Sequence, residues 1–262
     1  MTPEFPTIAV MGNAGWRVQF HDHATSTNDL ARTAAPWTAF VAASQSGGRG
    51  RFGREFVSDP GGLWLTATVP APGPAAAWVG LSLAVGHHLL LMFERLGVPK
   101  VRLRWPNDLM VGDRKLAGLL IESGEPHTLC IGLGLNVSNR PWDRDPALGY
   151  TACRLADTLS PCPEAEAFVT PVLDAMADAH EDLASNGLGA TITALNETWW
   201  RAGVTLSLYG GRTATGTFTG LDPSGNLLLA DPSGSVQIIP HQDVEKLTED
   251  HAPFLFQQPI NT

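Results

Sequence analysis

Ser46-Gly47-Gly48-Arg49-Gly50-Arg51-Phe52-Gly53-Arg54 sets three arginines among four glycines in a chain that is acidic overall. Glycine lets backbone approach a ligand closely and take positive φ without steric cost. Arginine brings a fixed charge and a fork of donors that matches phosphate or carboxylate. A loop made of both suits closure over a small anion. The same composition also suits an RGG-like tract that binds nucleic acid or stays solvated, and the neighbouring sequence has to decide.

The surrounding chain is globular in composition. Its 262 residues are 44% hydrophobic and 16% charged, enough to bury a sizeable core. A net charge of −9 argues against general affinity for DNA, RNA or an anionic membrane surface. Any basic site is therefore local, and the glycine–arginine stretch is the one dense basic cluster. Cys130, Cys153 and Cys162 are odd in number, lack metal-type spacing and read as reduced thiols of a cytoplasmic protein. Met1 to Met11 has no basic start and no long apolar run, so no secretory signal is expected. The apolar tract Ala75 to Phe93 nears a membrane span in length. It holds His87-His88 and soon meets Gly97, so it reads as a buried helix.

Upstream of the loop, residues 1–15 read as a lead-in and Trp16 to His21 as a short strand. Ser26 or Thr27 caps a helix whose apolar positions are Leu30, Ala31 and Ala34. Thr38 to Ser44 is a buried strand that feeds the loop. Downstream, the turn Asp59 to Gly62 precedes a strand from Leu63 to Val69 and a long helix from Pro74 to Leu96. Val101 to Trp105 reads as a strand, followed by a hairpin of Leu109–Val111 and Lys115–Glu122 about Gly112-Asp113-Arg114. A further strand covers His127 to Val137. Residues 141–162 are proline-rich and irregular, and helices follow at about 163–185 and 189–201. From Val204 to Leu247 the pattern becomes short strands with turns at Gly210-Gly211, Asp222–Gly225 and Asp231–Gly234, a small all-β module beginning near Gly203.

Four stretches carry chemistry-bearing residues: Ser26-Thr27-Asn28; Gln45 with the loop; Arg104 to Asp108 followed by Arg114 to Gly118; and Ile131 to Asn136. Taken singly they are ambiguous. The first could be a helix cap, Asn107-Asp108 an Asx turn, and Lys115 a solvated turn lysine. Other chemistries fit worse. There is no GxxxxGK[ST] phosphate loop, His21-x-His23 lacks further ligands at metal spacing, and Ser26 has no His/Asp partners. No metal site is read from a direct motif.

In order and spacing these stretches resemble the bacterial biotin–protein ligases. GRGRxGR is intact at Gly48 to Arg54, WPND at Trp105 to Asp108 and KLAG at Lys115 to Gly118, and the resemblance runs over about residues 16 to 247. It implies an α+β two-layer fold: a mixed β-sheet backed by helices, of the class II synthetase-like biotin/lipoate ligase type, over residues 1–203. A small SH3-like β-barrel with a tail is implied over 204–262. It implies an ATP-dependent enzyme that makes biotinyl-5′-AMP with MgATP and passes biotin to a lysine of a biotin carboxyl carrier domain, as in acetyl-CoA carboxylase. Lipoate or octanoate transferases share the fold but lack the full GRGRxGR plus WPND set. About fifteen residues precede the pattern, too few for a DNA-reading domain, so the implied type is monofunctional, without nucleic-acid or membrane partners. It is either a monomer or a homodimer joined through an edge strand.

The resemblance also assigns residues. Ser26, Thr27, Asn28, Gln45, Gly48, Arg49, Gly50, Arg51, Lys115, Gly118 and Gly132 match positions that hold biotin. Arg51, Arg54, Phe56, Lys115 and Asn136 match positions around ATP or the adenylate. Arg49, Arg51, Arg54, Lys115, Asn107 and Asp108 match the catalytic set. The physics agrees: a carboxylate and a triphosphate are both anions, so joining them needs positive charge at the α-phosphate and the leaving pyrophosphate. A loop that orders over the ligand excludes water, which would hydrolyse an acyl-adenylate, and such a loop is expected to be mobile without ligand. Two departures stand out: Phe56 where tryptophan is frequent, and Arg104 where lysine is usual.

Overall fold

A computed structural model of the chain describes residues 7–71, 78–125, 127–199 and 202–250. The expected start of the long helix at 74–77 and the tail beyond 250 lie outside the described residues. The chain divides into two compact units, Met1–Thr191 and Ile192–Thr262.

The first unit is built on one eight-stranded sheet, with the spatial order β1-β2-β3-β4-β8-β7-β6-β5. Its strands are β1 Thr7–Met11, β2 Trp16–His21, β3 Thr38–Ala42, β4 Leu63–Pro70, β5 Val101–Arg104, β6 Asp108–Val111, β7 Arg114–Ser123 and β8 Thr128–Leu135. The lead-in expected over residues 1–15 thus contains a strand. β1 pairs only with β2 and leaves Ile8 and Val10 largely exposed, so it shows no inside–outside alternation by which sequence could have found it. The pair β2–β3 is parallel and every other ladder is antiparallel. A parallel pair needs a crossover, and helix α1, Thr27–Ala31, lies in that connection. Helices α2, Leu81–Arg95, and α3, Val169–Asn186, pack on each other and against the sheet. The core between them includes Leu65, Ala67, Leu89, Phe93, Leu103, Leu133, Leu173 and Met176, all essentially inaccessible.

Antiparallel neighbours β3 and β4 could be joined by a hairpin of two to five residues. Instead residues 43–62 intervene, and they carry the glycine–arginine loop. That loop folds back on itself as a small hairpin. Gly50 N–H donates to Arg54 O at 2.8 Å, and Phe56 N–H to Gly48 O at 2.9 Å. A 3-10 turn over Arg51–Gly53 closes the tip, with Phe52 at φ 58°, a left-handed position that only a few per cent of non-glycine residues take.

The region expected to be irregular over 141–162 holds short 3-10 turns at Pro141–Asp143, Pro146–Tyr150 and Leu155–Asp157. The helix expected from 163 starts as a 3-10 turn over Ala165–Phe168 and becomes α-helical at Val169. Helix α4, Gly189–Thr198, leads into the second unit. There β9 Ala202–Leu208, β10 Arg212–Leu221, β11 Leu227–Ala230, β12 Val236–Ile239 and β13 Val244–Glu249 form one antiparallel sheet, ordered β12-β11-β10-β9-β13. The small all-β module expected there is thus a five-stranded antiparallel sheet, and among the described residues no ladder joins β12 to β13.

Candidate active site

The cavity lies on the sheet face that carries α1. Register sets this face: Gly118 pairs with Gly134, Leu120 with Gly132, and Glu122 with Cys130 across β7 and β8, while Thr66 of β4 pairs with Gly132. Facing glycines leave a notch where side chains would otherwise meet. A Cβ at Gly134 would stand 2.6 Å from the Phe56 ring, and one at Gly118 would stand 2.9 Å from Lys115 Nζ. Phe56 lies across this notch, edge-on to Trp64 with centroids 5.9 Å apart, and Lys115 Nζ sits 5.4 Å from its ring centre.

The cavity holds about 180 Å³, below the roughly 300 Å³ at which drug-sized sites begin. Of the residues singled out from sequence, it brings together Ser26, Thr27, Asn28, Gln45, Arg49, Gly50, Arg51, Arg54, Phe56, Asn107, Asp108, Lys115, Gly118 and Gly132. Gly48 and Asn136 stand outside its wall. Gly48 is required by the loop's own fold, because a Cβ there would run into Ser58 Oγ and Phe56 O. Asn136 is buried in the turn after β8. Its Nδ2 donates to Cys153 O at 3.0 Å, and its Oδ1 accepts from Asn139 Nδ2 at 2.9 Å.

Ser26 occupies the cap position of α1, but its hydroxyl makes no capping bond and lines the cavity instead. Below it runs a polar chain. Asn28 Nδ2 donates to Glu122 Oε2 at 2.6 Å, which leaves Asn28 Oδ1 to accept from the Thr66 hydroxyl at 2.6 Å. A hydroxyl has one proton, so Thr66 cannot also donate to Thr27. The Thr27 hydroxyl therefore donates, to Thr66 Oγ1 at 2.8 Å or to Gln45 Oε1 at 3.1 Å. Gln45 Oε1 also accepts from the Thr27 N–H at 2.7 Å, and Gln45 Nε2 donates to Ser58 Oγ at 2.9 Å.

The charged wall is assembled from three elements. The tight β5–β6 connection places Asp108 beside Arg104, with Arg104 Nη2 at 2.7 Å and Lys115 Nζ of β7 at 2.6 Å. Burial raises the Asp108 carboxyl, but the two cations outweigh burial and hold it below the usual carboxylate range. Asn107 Nδ2 donates to Leu119 O at 2.7 Å, tying the connection to β7. The Lys115 backbone is held by the 3-10 region: its N–H donates to Thr151 O at 2.7 Å and its carbonyl accepts from Cys153 N–H at 2.9 Å. On the loop, burial and then the neighbouring Arg54 charge work against the Arg51 charge, with Asp108 partly opposing them. Two guanidiniums that repel each other in a half-buried wall are suited to an incoming anion. Arg49 differs, since Asp29 and Glu122 both bind its guanidinium and raise its pKa.

Glu122, Asp29 and Thr66 were not legible as site residues. Strand alternation from Gly118 through Leu120 to Glu122 was the one available signal for Glu122. The histidines of His21-x-His23 line a separate cavity of about 640 Å³ with Asp22, Phe20 and Glu166. Among the described residues no group of three or more His, Cys, Asp or Glu side chains is arranged to hold a metal ion. Cys130 and Cys153 are free and buried, and burial pushes both thiols up to about 11, which leaves neither as a thiolate nucleophile near neutrality. No helix among the described residues is long and apolar enough to cross a membrane.

Comparison with known proteins agrees with this geometry. Residues 22–136 match the profile of the biotin/lipoate A/B protein ligase family, and residues 203–246 match that of the biotin protein ligase C terminal domain. The chain is 30% identical over 234 residues to the biotin--[acetyl-CoA-carboxylase] ligase of Paracoccus denitrificans, covering 84% of this chain and 96% of that one. It is 43% identical over 113 residues to the bifunctional ligase/repressor BirA of Salmonella typhimurium, a match over 41% of this chain and 35% of that protein. The biotin protein ligase of Aquifex aeolicus, solved in complex with biotin and ATP, has a similar fold. Its TM-score is 0.78 at 22% identity, covering 89% of this chain and 99% of that one. With a glycine-floored cavity walled by residues of GRGRxGR, WPND and KLAG, and a likeness to a biotin--[acetyl-CoA-carboxylase] ligase over 84% of the chain, the chain belongs to the biotin protein ligase family.

Proposed function

We propose that this chain is an ATP-dependent biotin–protein ligase whose chemistry is carried by the first unit. The observation that carries the reading is the cavity wall: a glycine notch beside Lys115, Arg51 and Arg54, with a neutral hydrogen-bonding end at Ser26, Thr27 and Gln45. Biotin offers matching parts, a flat bicyclic ring with a ureido group at one end and a carboxylate at the other. The ureido group goes to Ser26, Thr27 and Gln45, the ring to Gly118 and Gly132, and the carboxylate to Lys115.

In the first step the biotin carboxylate oxygen attacks the α-phosphorus of ATP, the bond to the β-phosphate oxygen breaks, and pyrophosphate leaves. Arg51, Arg54 and Lys115 neutralise the charge that gathers there. Magnesium enters as the counter-ion of the nucleotide, part of the substrate. The carboxylate of the charged wall, Asp108, is already spent on Arg104 and Lys115, so the donor set is not that of a resident metal cage. In the second step a neutral lysine ε-amine of a biotin carboxyl carrier domain attacks the mixed anhydride, AMP leaves, and the amine proton is lost. Asp108 is the carboxylate paired with Lys115 and orients it. The resemblance gives Phe56 and Asn136 to the adenine. Two of the four hydrogen-bonding capacities of the Asn136 amide are already spent within the protein.

A cytoplasmic setting follows from the substrate pair, since ATP and the carrier are met there. Exposed Ile8 and Val10 on edge strand β1 support pairing with a second copy. The test is biotin-dependent ATP–pyrophosphate exchange, with lipoate as the parallel acid and Arg51→Ala as control. Exchange with biotin and not lipoate, lost in the variant, is expected. Folded protein that shows no exchange with biotin overturns the reading.

A further inference from the structure

Glu122 belongs to none of the motifs that mark the site, yet three hydrogen bonds converge on its carboxylate. Arg49 Nη2 donates to Oε2 at 3.0 Å, Arg49 Nε donates to Oε1 at 3.4 Å, and Asn28 Nδ2 donates to Oε2 at 2.6 Å. The first two form a fork-to-fork pair, the geometry in which arginine binds carboxylate with direction as well as charge. Asp29 Oδ1 takes the same Nη2 at 2.8 Å. One guanidinium therefore faces two carboxylates, and Arg49 brings no surplus positive charge to the cavity. Its two loop companions, Arg51 and Arg54, are not paired in this way with Glu122 or Asp29.

The bonds inside the glycine–arginine hairpin, Gly50 to Arg54 and Phe56 to Gly48, fix its shape. They do not fix where it lies over the sheet. Phe56 in the glycine notch seats the base of the hairpin, and the Arg49–Glu122 fork joins the first arginine of the loop to the cavity face of β7. Glu122 is also where the polar chain through Thr27, Thr66 and Asn28 ends, so the loop and the floor of the ureido end share one acceptor.

We propose that Glu122 is a positioning residue that seats Arg49, and through it the glycine–arginine loop, on the sheet. Arg49 is a tether, and the anion-facing charges of the loop are Arg51 and Arg54. The part of this that concerns biotin rests on the ligase reading; the tether itself does not. Glu122 is about one-third exposed, so water competes for the pair and the seat can open when ligand enters or product leaves.

Two measurements on the full chain test it. The first needs no ligand: trypsin cleavage after Arg51 and Arg54 in the wild type and in Glu122→Gln, which keeps the shape and loses the charge. Cleavage in a local opening follows the population of the open form, and a rise of about fivefold in the variant is expected. Equal rates in two folded proteins overturn the tether. The second is biotin-dependent ATP–pyrophosphate exchange. A loop that must be seated by the ligand raises KM by the fraction of competent protein lost, so KM for biotin should rise about tenfold while kcat changes less than threefold. A fall in kcat at unchanged KM overturns a positioning role and makes Glu122 part of the chemistry. If Glu122→Gln does not fold, Arg49→Gln breaks the same fork from the loop side, and unchanged cleavage after Arg51 and Arg54 there overturns the tether. A wild-type chain inactive with biotin sinks the ligase reading and leaves the trypsin result to decide the tether.

Discussion

Asp108 joins two strands and two cations at one point. Because the cations hold its carboxyl below the usual range, its pKa rises on unfolding. The stability it contributes is therefore complete above the ordinary aspartate pKa and is lost as pH falls through the lower, folded value. Asp108→Asn leaves Arg104 and Lys115 facing each other without a counter-charge. Breaking a largely buried pair in this way costs about 3 kcal/mol. Denaturant melts at pH 7 should show that loss, and the gap between variant and wild type should narrow below about pH 4. A gap that stays constant to low pH would show that Asp108 is not ionised against these partners. Activity separates two roles for the same residue: unchanged transfer from preformed adenylate in Asp108→Asn would remove Asp108 from the aminolysis step.

The β8 turn and the 3-10 region act as one element, and Asn136 is its fastener. The Asn136 carbonyl accepts from Leu155 N–H at 3.1 Å, its side chain holds Cys153 O, and Cys153 N–H holds Lys115 O. Removing the amide strands Cys153 O and Asn139 Nδ2 in buried surroundings, at about 1–3 kcal/mol for a buried group left unsatisfied. Asn136→Ala should therefore melt earlier by an amount of that size, measured by chemical denaturation without ligand. Unchanged stability would leave adenine contact as the only use for this side chain. Here the limits of sequence are plain. The stretch Ile131 to Asn136 was legible because it falls in order and spacing with the other motifs of the family it resembles, and the strands around it because their apolar runs end at turns. What Asn136 holds was not, since its partners are backbone atoms of a stretch read as irregular. Glu122 was hidden for a similar reason: a strand-end glutamate has the same sequence signature whether it faces water or an arginine 73 residues away in the chain. The loop itself was legible only together with its neighbours, because three arginines among four glycines also suit an RGG-like tract. Strand β1 was missed because it has one neighbour and buries little.

At the scale of the whole molecule, two units and a local site make a calorimetric prediction. Among the described residues, those that line the cavity all belong to the first unit. A ligand that binds the native form alone stabilises it by RT ln(1 + [L]/Kd), about 2.7 kcal/mol at a hundredfold excess over Kd. Biotin with MgATP should therefore shift the unfolding transition of the first unit and leave any separate transition of the second unit in place. Equal shifts in both would mean that the units unfold as one. Adding salt should weaken this stabilisation only modestly. The positive wall is local and half-buried, where screening is weaker than at an open surface, although the chain as a whole carries −9.

The Thr66 hydroxyl has a further use that owes nothing to catalysis. Its residue is wholly inaccessible, and its single hydrogen lies on a 2.6 Å line to Asn28. Hydrogens so enclosed trade with solvent slowly, and one in a bond this short resonates well away from the crowded aliphatic region. Proton magnetic resonance of the intact protein should show it as an isolated signal, absent in Thr66→Val. Because the same hydrogen-bonded chain reaches both Gln45 and Glu122, that signal should move when the ureido end is filled and again when the arginine is unseated. The protein thus carries a built-in spectroscopic gauge of site occupancy, read without label or turnover.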